Sequence, residues 1–349
     1  MKSFFSKSIH IGSIILTIFL NSCNKDNMSP NPMQGGKLVY ITNEGAYGHN
    51  NGSVSILEPD SNRITNYIFE NANGKNTGDI IQSIGFANQN GYIIANNNNL
   101  VKVVNLSSFK EIAELEISYP RYFLEIDTTK AYISSGKYKG SLKIINLQSN
   151  TITDSIVVGT GPNKLVKSGN YVFVANNGGW SSDSTVSVKD YKTNNFIKNV
   201  IVGNNPNDMV VDYNGDIWVI CSDIHANSKI VKINHNSLSV EKSFTEGFAN
   251  MKRYESKLIA ISNDKKTIYF QDSLRVFSYT VNSSVTTVDT FISTNALYGL
   301  NVDSSNGDIY CIEAGNYSSG GIVTIYNKNG AFKNKFTAGV GTNGAYFNY

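Results

Sequence analysis

The sequence predicts an all-β protein, a seven-bladed β-propeller whose ring is closed when the C-terminal strand joins blade one. Short β-branched and aromatic runs alternate with Asn, Gly and Asp turns, as in YVFVAN (171–176) and DIWVIC (216–221). The alternation repeats at about 40 to 45 residues, the spacing of propeller blades. No long segment keeps the i, i+3, i+4, i+7 apolar spacing of a helix, so helical folds are excluded.

Each repeat has four parts: a turn with a short strand, a hydrophobic strand, a strand ending near a second turn, and a polar-alternating strand. The turns Asn214-Gly215-Asp216 and Asn306-Gly307-Asp308 occupy the same part, two repeats apart. Seven repeats can be counted, and their third strands are expected to begin near Ser53, Leu100, Ser141, Thr185, Lys229, Leu274 and Gly321.

The two ends of the repeat region predict how the ring closes. The region opens directly on KLVYIT (37–42), which reads as a second strand and leaves blade one without a first. The chain ends on GTNGAYFNY (341–349), which reads as a first strand with nothing after it. We expect this segment to supply the innermost strand of blade one, because a closed ring leaves few free sheet edges.

The stretch VGTGPNKLV (158–166) contains G-x-G and a lysine and looks like a phosphate loop. A phosphate loop occurs once and precedes a helix, whereas V-G-x-x-P-N recurs at 202–207 and no amphipathic helix follows either copy. The stretch is therefore predicted to be the end of one blade, a tight turn through Gly159, Gly161 and Pro162, and the inner strand of the next blade.

The N-terminus predicts export. Lys2 and Lys7 precede an apolar run at 11–20 that is too short to span a bilayer comfortably. The run leads into Leu20-Asn21-Ser22-Cys23, which resembles a lipobox, although an ordinary signal peptide with a chance cysteine is the alternative. We predict a signal peptide at 1–22, a lipidated Cys23 with a polar tether at 23–36, and one propeller at 37–349.

Composition and motifs exclude several classes of function. The formal net charge of +3 is evenly spread, so a nucleic-acid partner is not indicated. Cys221 and Cys311 are expected to be buried free thiols. The sequence has no His-x-x-x-His, Cys-x-x-Cys or G-x-S-x-G motif. We therefore expect no enzyme, no metal and no cofactor, while Asp223 with His225, or Glu44 with Glu313, leaves open an acid–base or cation site.

A ligand site is predicted where the second strands end and the next inner strands begin, since both places lie on one face of a propeller. Side chains there offer amides, hydroxyls and flat rings, which suit a large ligand with amide edges and apolar faces. A corrin ring, a glycan and a protein loop all fit that description, and a blade-end Asn can simply make a turn. The candidate ligand-binding residues are Asn43, Glu44, Tyr47, Arg121, Tyr122, Tyr138, Asn176, Trp180, His225, Tyr298, Glu313 and Tyr317.

The chain resembles two groups of known propellers. The strand YVFVANN (171–177) and the V-G-x-x-P-N turn resemble YVTN-type propellers. The run ITNEGAYGHNNGSVSILEPDSN (41–62), followed by GDIIQSI (78–84), resembles the Bacteroidetes surface lipoprotein propellers of the DUF5074 type, which include the cobalamin-capturing BtuG group.

The second resemblance implies an outer-membrane lipoprotein facing the cell exterior. It also implies a cobalamin or corrinoid ligand that is passed to a TonB-dependent transporter. A glycan- or protein-binding module is the alternative, and a propeller lactonase a further one.

Overall fold

The computed structural model describes residues 37–222, 228–245, 258–272, 274–284 and 288–349. The described residues form 28 strands in seven four-stranded antiparallel sheets, which confirms the predicted seven-bladed β-propeller. Blades one to four use strands β1 (Val39–Asn43), β2 (Ser53–Glu58), β3 (Arg63–Thr65), β4 (Ile81–Ala87), β5 (Asn90–Ala95), β6 (Leu100–Asn105), β7 (Glu111–Glu116), β8 (Pro120–Asp127), β9 (Lys130–Ser135), β10 (Gly140–Asn146), β11 (Thr151–Val158), β12 (Pro162–Ser168), β13 (Tyr171–Asn176), β14 (Thr185–Asp190) and β15 (Phe196–Ile201).

The remaining blades follow the same order, from the inner strand outward. A short helix α1 (Ile68–Asn73) links blades one and two, and a 3-10 turn (Pro59–Ser61) follows β2. The later strands are β16 (Pro206–Val211), β17 (Ile217–Cys221), β18 (Lys229–Asn234), β19 (Ser239–Phe244), β20 (Ile259–Ile261), β21 (Thr267–Gln271), β22 (Arg275–Thr280), β23 (Asp289–Ser293), β24 (Gly299–Val302), β25 (Ile309–Glu313), β26 (Gly320–Tyr326), β27 (Phe332–Val340) and β28 (Thr342–Phe347).

The ring closes as predicted. Blade one has the order β28-β1-β2-β3, so the last strand of the chain is its innermost strand. The antiparallel register pairs Val39 with Phe347 and Asn43 with Thr342. Lys37 Nζ lies 5.1 Å from the ring of Tyr349, so the two ends of the ring also meet through side chains.

The stretch 158–166 forms the predicted turn between blades. Strand β11 ends at Val158 and the inner strand β12 begins at Pro162. Gly161 between them has φ +57°, a left-handed conformation that glycine adopts without steric cost. The glycines of this motif therefore serve the chain reversal.

The hydrophobic core lies between the blades. The second and third strands are buried along their length, whereas outer strands such as β11 are largely exposed. Tyr92 and Ile94 of blade two pack with Ile133 of blade three, and similar clusters join the other blades. Burying each large apolar side chain contributes about 1.5–3 kcal/mol, so contacts between blades stabilise the ring.

Both cysteines of the propeller are free and buried, as expected. Burial raises the pKa of each thiol to about 12, which keeps both protonated and unreactive at neutral pH. No helix among the described residues is long and apolar enough to cross a membrane.

Candidate functional site: a cleft on the top face

Three loops on one face of the propeller share a frame. They follow the second strands of blades one, four and seven, and each has a glycine two residues after the strand ends. Gly45, Gly178 and Gly315 have φ of +80°, +85° and +77°, a left-handed conformation that favours glycine. Two residues later each loop carries an aromatic side chain; these are Tyr47, Trp180 and Tyr317. We call this face of the propeller the top face.

The strand-end asparagines below two of these loops point into the protein. Asn43 is buried, and its Nδ2 donates to Ser53 Oγ at 3.2 Å and Ser55 Oγ at 3.0 Å. Asn176 is also buried and donates to Thr185 Oγ1 at 3.0 Å and to the Ser187 hydroxyl at 2.9 Å. Both amides tie the second strand of a blade to its third, so the structure places these two candidate ligand-binding residues in the interior.

A cleft of about 290 Å³ opens on the top face over blades one to four, and it is also lined by Tyr298, which precedes the inner strand of blade seven. Five of the candidate ligand-binding residues line it: Glu44, Tyr47, Arg121, Trp180 and Tyr298. The rings of Tyr47 and Trp180 are 73% and 66% exposed, so both present flat apolar area to solvent. Other lining residues are not among the candidates: Asn96, Asn97, Lys137 and Asn177 lie at strand ends that the sequence places on this face, whereas Ile80, Gln82 and Tyr119 carry no such signal.

Lys137 lies between two aromatic rings of the cleft. Its Nζ is 3.7 Å from the ring centre of Tyr119 and 4.2 Å from that of Trp180. A cation over the face of a ring is attracted by the ring quadrupole, and Trp and Tyr are favourable partners. The ammonium group of Lys137 is therefore held at the cleft wall by two rings from different loops.

The one carboxylate that lines the described cleft belongs to Glu44, which is buried. The hydroxyl of Tyr298 donates to both of its oxygens, at 3.1 and 3.2 Å, and Asn343 Nδ2 donates to Oε1 at 2.9 Å. Burial, together with the charge of Glu44, raises the pKa of Tyr298 well above its ordinary value. Tyr317 reaches the same network through a hydrogen bond with Tyr298 and does not line the cleft itself.

Tyr122 and Tyr138 lie outside the cleft. Tyr122 is buried in the inner strand of blade three, where its ring faces Lys164 Nζ at 5.2 Å and burial raises the pKa of its phenol. Tyr138 is exposed and lines an adjoining surface groove with Lys139, and Tyr119, Gly136 and Lys137 line both this groove and the cleft.

The two carboxylates of the alternative acid–base or cation site line different cavities. Glu44 lines the cleft, and Glu313 lines a cavity with Cys311 and Thr294. The described ranges contain no group of three or more His, Cys, Asp and Glu side chains suited to a metal. His225, Asp223 and the lipidation candidate Cys23 lie outside the described residues.

The position before each inner strand is left-handed in five blades. It is occupied by Gly161, Asn205 and Gly341 in three of them, and by Ile80 and Tyr119, with φ +55° and +48°, in blades two and three. Side chains with a Cβ, and β-branched ones above all, adopt this conformation at a cost. Ile80 and Tyr119 line the cleft. Alignment of Tyr119-Pro120 with Gly161-Pro162 is the sequence signal that could have singled out Tyr119.

The fold and the cleft define a seven-bladed β-propeller with a ligand-sized, aromatic- and amide-lined depression on one face. The chain belongs to the family described as a domain of unknown function, DUF5074, which matches residues 37–347. No curated protein matches the chain.

Several solved structures share the fold at low sequence identity. A quinonprotein alcohol dehydrogenase-like protein from Bacteroides thetaiotaomicron is 13% identical, with a TM-score of 0.69 over 89% of this chain and 78% of that chain. The periplasmic gluconolactonase of Pseudomonas aeruginosa is 11% identical, with a TM-score of 0.65 over 88% of this chain and 99% of that chain. At such identities the similarity shows the fold alone.

Proposed function

We propose that the protein binds a nutrient ligand in the top-face cleft, that this ligand is a cobalamin or another corrinoid, and that it is passed to a TonB-dependent outer-membrane transporter. The observation that carries the proposal is the pair of exposed rings, Tyr47 and Trp180, beside amides at one concave surface. Folding alone does not require large apolar rings in solvent, whereas ligand sites use them as rigid contact area.

The lining chemistry supports an amide-rich ligand. Gln82, Asn96, Asn97 and Asn177 line the cleft. Asn96 Nδ2 donates to Pro120 O at 2.8 Å and Asn97 Nδ2 to Asp79 Oδ2 at 2.7 Å, and each of these two amides carries a second N–H and an oxygen besides that contact. The volume of about 290 Å³ is at the lower end for small-molecule pockets, about 300–1,000 Å³. A ligand as large as a corrinoid therefore inserts one edge and leaves the rest outside, which suits handover to a second protein.

A glycan is the second candidate, and the same exposed rings support it, because sugar faces also stack on aromatic side chains. Tyr47 and Trp180 would provide the platforms. We favour binding over catalysis, because the carboxylate of Glu44 is engaged by Tyr298 and Asn343. The gluconolactonase is similar to this chain in fold alone.

We also propose that Cys23 carries lipid and anchors the chain to the outer membrane, facing outward. The propeller supports a cleft that faces away from the anchor. Lys37, where the tether of residues 23–36 joins, lies before β1, and Glu44 at the cleft follows the other end of that strand. A Cys23→Ser variant should leave the membrane fraction, and an unchanged distribution would contradict the anchor.

The test of ligand binding mixes the purified protein with cyanocobalamin, removes free ligand by gel filtration and records the visible spectrum of the protein peak. Bound corrinoid colours the peak red. Trp180→Ala and Tyr47→Ala should each weaken binding by about tenfold or more, because base- and ring-stacking contacts of this kind contribute about 1–3 kcal/mol.

Phe196→Ala is the matched control. Phe196 is also an exposed aromatic residue, 52% exposed, but it lies on the outer strand β15 and does not line the cleft. The Phe196→Ala variant should therefore bind cyanocobalamin with the affinity of the wild type. A colourless protein peak at micromolar concentration would contradict the corrinoid proposal, and a glycan array would then test the second candidate.

A further inference from the structure

We propose that Lys137, held between the rings of Tyr119 and Trp180, forms with Arg121 an anion-binding subsite in the top-face cleft. The subsite takes the phosphate or carboxylate group of the ligand. This inference rests on the proposed function only in assuming that the cleft binds a ligand, and it specifies that the ligand is anionic at one end.

The charges of the cleft support the subsite. Arg121, Lys137 and Glu44 are the charged side chains among the described lining residues. Glu44 is buried and already accepts hydrogen bonds from Tyr298 and Asn343. Within the described residues, no carboxylate lies within ion-pair distance of Lys137, whose contacts there are the two rings. Lys137 and Arg121 are therefore the two cations that line the cleft, and the one carboxylate there is hydrogen-bonded within the protein.

The backbone of Tyr119, whose ring contacts Lys137, is held in a left-handed conformation with φ +48°. The same position before the inner strand is Gly161 in blade four and Asn205 in blade five, residues that tolerate a left-handed φ. A tyrosine there costs more free energy, and its ring lies 3.7 Å from Lys137 Nζ. Strain of this kind clusters at ligand sites, where surrounding structure holds it in place.

Interlocked loops fix the position of Lys137. A Cβ added to Gly179 would lie 2.1 Å from the carbonyl oxygen of Lys137, and one added to Gly161 would lie 2.0 Å from the amide nitrogen of Gly179. The blade-four loop therefore packs directly on the backbone of Lys137 and on the turn beside it. A cation that is positioned before the ligand arrives loses little entropy on binding.

The pairing of a lysine with an arginine suits an oxyanion. Arg121 Nη1 is 3.5 Å from Gln82 Oε1, so its planar guanidinium lies at the cleft with an amide beside it. Arginine binds carboxylates and phosphates through two parallel donors, and lysine adds a compact point charge. The exposed face of Trp180 then receives the apolar part of the same ligand.

Two corrinoids test the subsite by calorimetric titration: cyanocobalamin, which contains a phosphodiester, and dicyanocobinamide, which lacks it. Lys137→Met should lower the affinity for cyanocobalamin about tenfold or more, because hydrogen bonds to charged groups are among the stronger ones. The same variant should change the affinity for dicyanocobinamide less than twofold. Lys139→Met removes an equal charge two residues away, outside the cleft, and should bind like the wild type.

Equal losses for the two corrinoids, or no loss for either, would overturn the subsite while leaving corrinoid binding intact. If the wild type binds neither corrinoid, the proposed ligand fails and an acidic glycan tests the subsite separately. Trp180 and Trp218 are the two tryptophans of the chain, so a fluorescence change that Trp180→Phe abolishes reports on the cleft.

Trigalacturonate should change that fluorescence in the wild type and not in Lys137→Met, and uncharged maltotriose should have no effect. A response to maltotriose equal to that of trigalacturonate, or no response to trigalacturonate and to pyrophosphate, would overturn the subsite.

Discussion

The top-face loops of blades one and four differ from the equivalent loop of blade seven. In blades one and four the strand ends in a buried asparagine, and the aromatic residue four positions later stands exposed at the cleft. In blade seven the strand ends in Glu313, whose carboxylate makes no hydrogen bond to a described residue, and Tyr317 turns to Tyr298. The same loop geometry therefore places an exposed ring at the cleft twice, and once it brings a ring to the network of Tyr298 and Glu44.

The difference shows that the loop and the last residue of the strand before it have separate roles. The glycine frame sets where the aromatic side chain projects, whereas the residue at the strand end decides how firmly the loop is held. Asn43 is held most firmly, because its Oδ1 also accepts from Gly339 N at 3.0 Å and Thr342 Oγ1 at 2.9 Å. It thus joins the beginning of the ring to its end.

The largest expected effect is that of Asn43→Ala. The change leaves buried donors and acceptors of β2, β27 and β28 without partners, each at a cost of about 1–3 kcal/mol. We expect the free energy of unfolding to fall by about 3 kcal/mol or more, measured by urea denaturation.

Asn176→Ala and Glu313→Ala sharpen this first comparison. Asn176 bonds only through its Nδ2, because its Oδ1 is buried without a partner in the described residues. Asn176→Ala should therefore lower the free energy of unfolding by about 2 kcal/mol, less than Asn43→Ala. Glu313→Ala should cost less than about 1 kcal/mol. Equal losses at the three strand ends would contradict the difference between the blades.

The next largest loss of stability is expected when a loop glycine is replaced by alanine, which adds a Cβ. At Gly45 the new atom would lie 2.5 Å from Gly52 N, and at Gly178 2.6 Å from Ser182 Cα, whereas at Gly315 the nearest atom is 3.3 Å away. Alanine in a left-handed conformation costs about 1–2 kcal/mol by itself. We expect Gly45→Ala and Gly178→Ala to lose about 2 kcal/mol or more in thermal or urea unfolding.

Gly315→Ala is the control, because its loss of unfolding free energy should stay within the conformational cost of about 1–2 kcal/mol and below the losses at Gly45 and Gly178. A loss at Gly315 as large as at Gly45 would show that backbone conformation alone, and not the close packing of the blade-one and blade-four loops, sets the requirement for glycine.

The repeating sequence was sufficient to predict the fold. The third strands begin within one residue of their expected positions, for example at Leu100 and Thr185, and at Arg275 where Leu274 was expected. The closure by β28 followed from the unpaired first and last strands. Turn residues and apolar strand runs are local signals that every blade repeats. A strand boundary that is ambiguous in one blade can therefore be assigned by comparison with the other blades.

The cleft was predicted only in part. Asn43 and Asn176 are the last residues of β1 and β13, which are buried on both faces. Continuous apolar and β-branched runs such as VYIT and YVFVA are typical of strands buried on both faces, so the burial of the residues at their ends was readable from the sequence. The meeting of Lys137 with rings from two other segments was not readable, because it depends on how neighbouring blades pack.

The smallest effect concerns Tyr298, which precedes the inner strand of blade seven and joins Tyr317 of that blade to Glu44 of the blade-one loop. Its pKa is raised in the folded protein, so the unfolded chain releases this proton first as the pH rises. The stability that this raised pKa contributes to folding is fully present below about pH 10. Above about pH 10 the free energy of unfolding falls by at most about 1 kcal/mol per pH unit for a partly buried phenol.

Tyr298→Phe should therefore make the fall in stability between about pH 10 and 11 shallower than in the wild type, measured as urea midpoints at each pH. The other buried tyrosines, such as Tyr40 and Tyr92, with pKa values of about 12, contribute equally to both proteins and cancel in the difference. Identical slopes for the two proteins would show that the network of Glu44, Tyr298 and Tyr317 does not hold the phenol protonated. The link from Tyr317 of blade seven through Tyr298 to Glu44 of blade one would then contribute nothing to the fall of stability in this pH range.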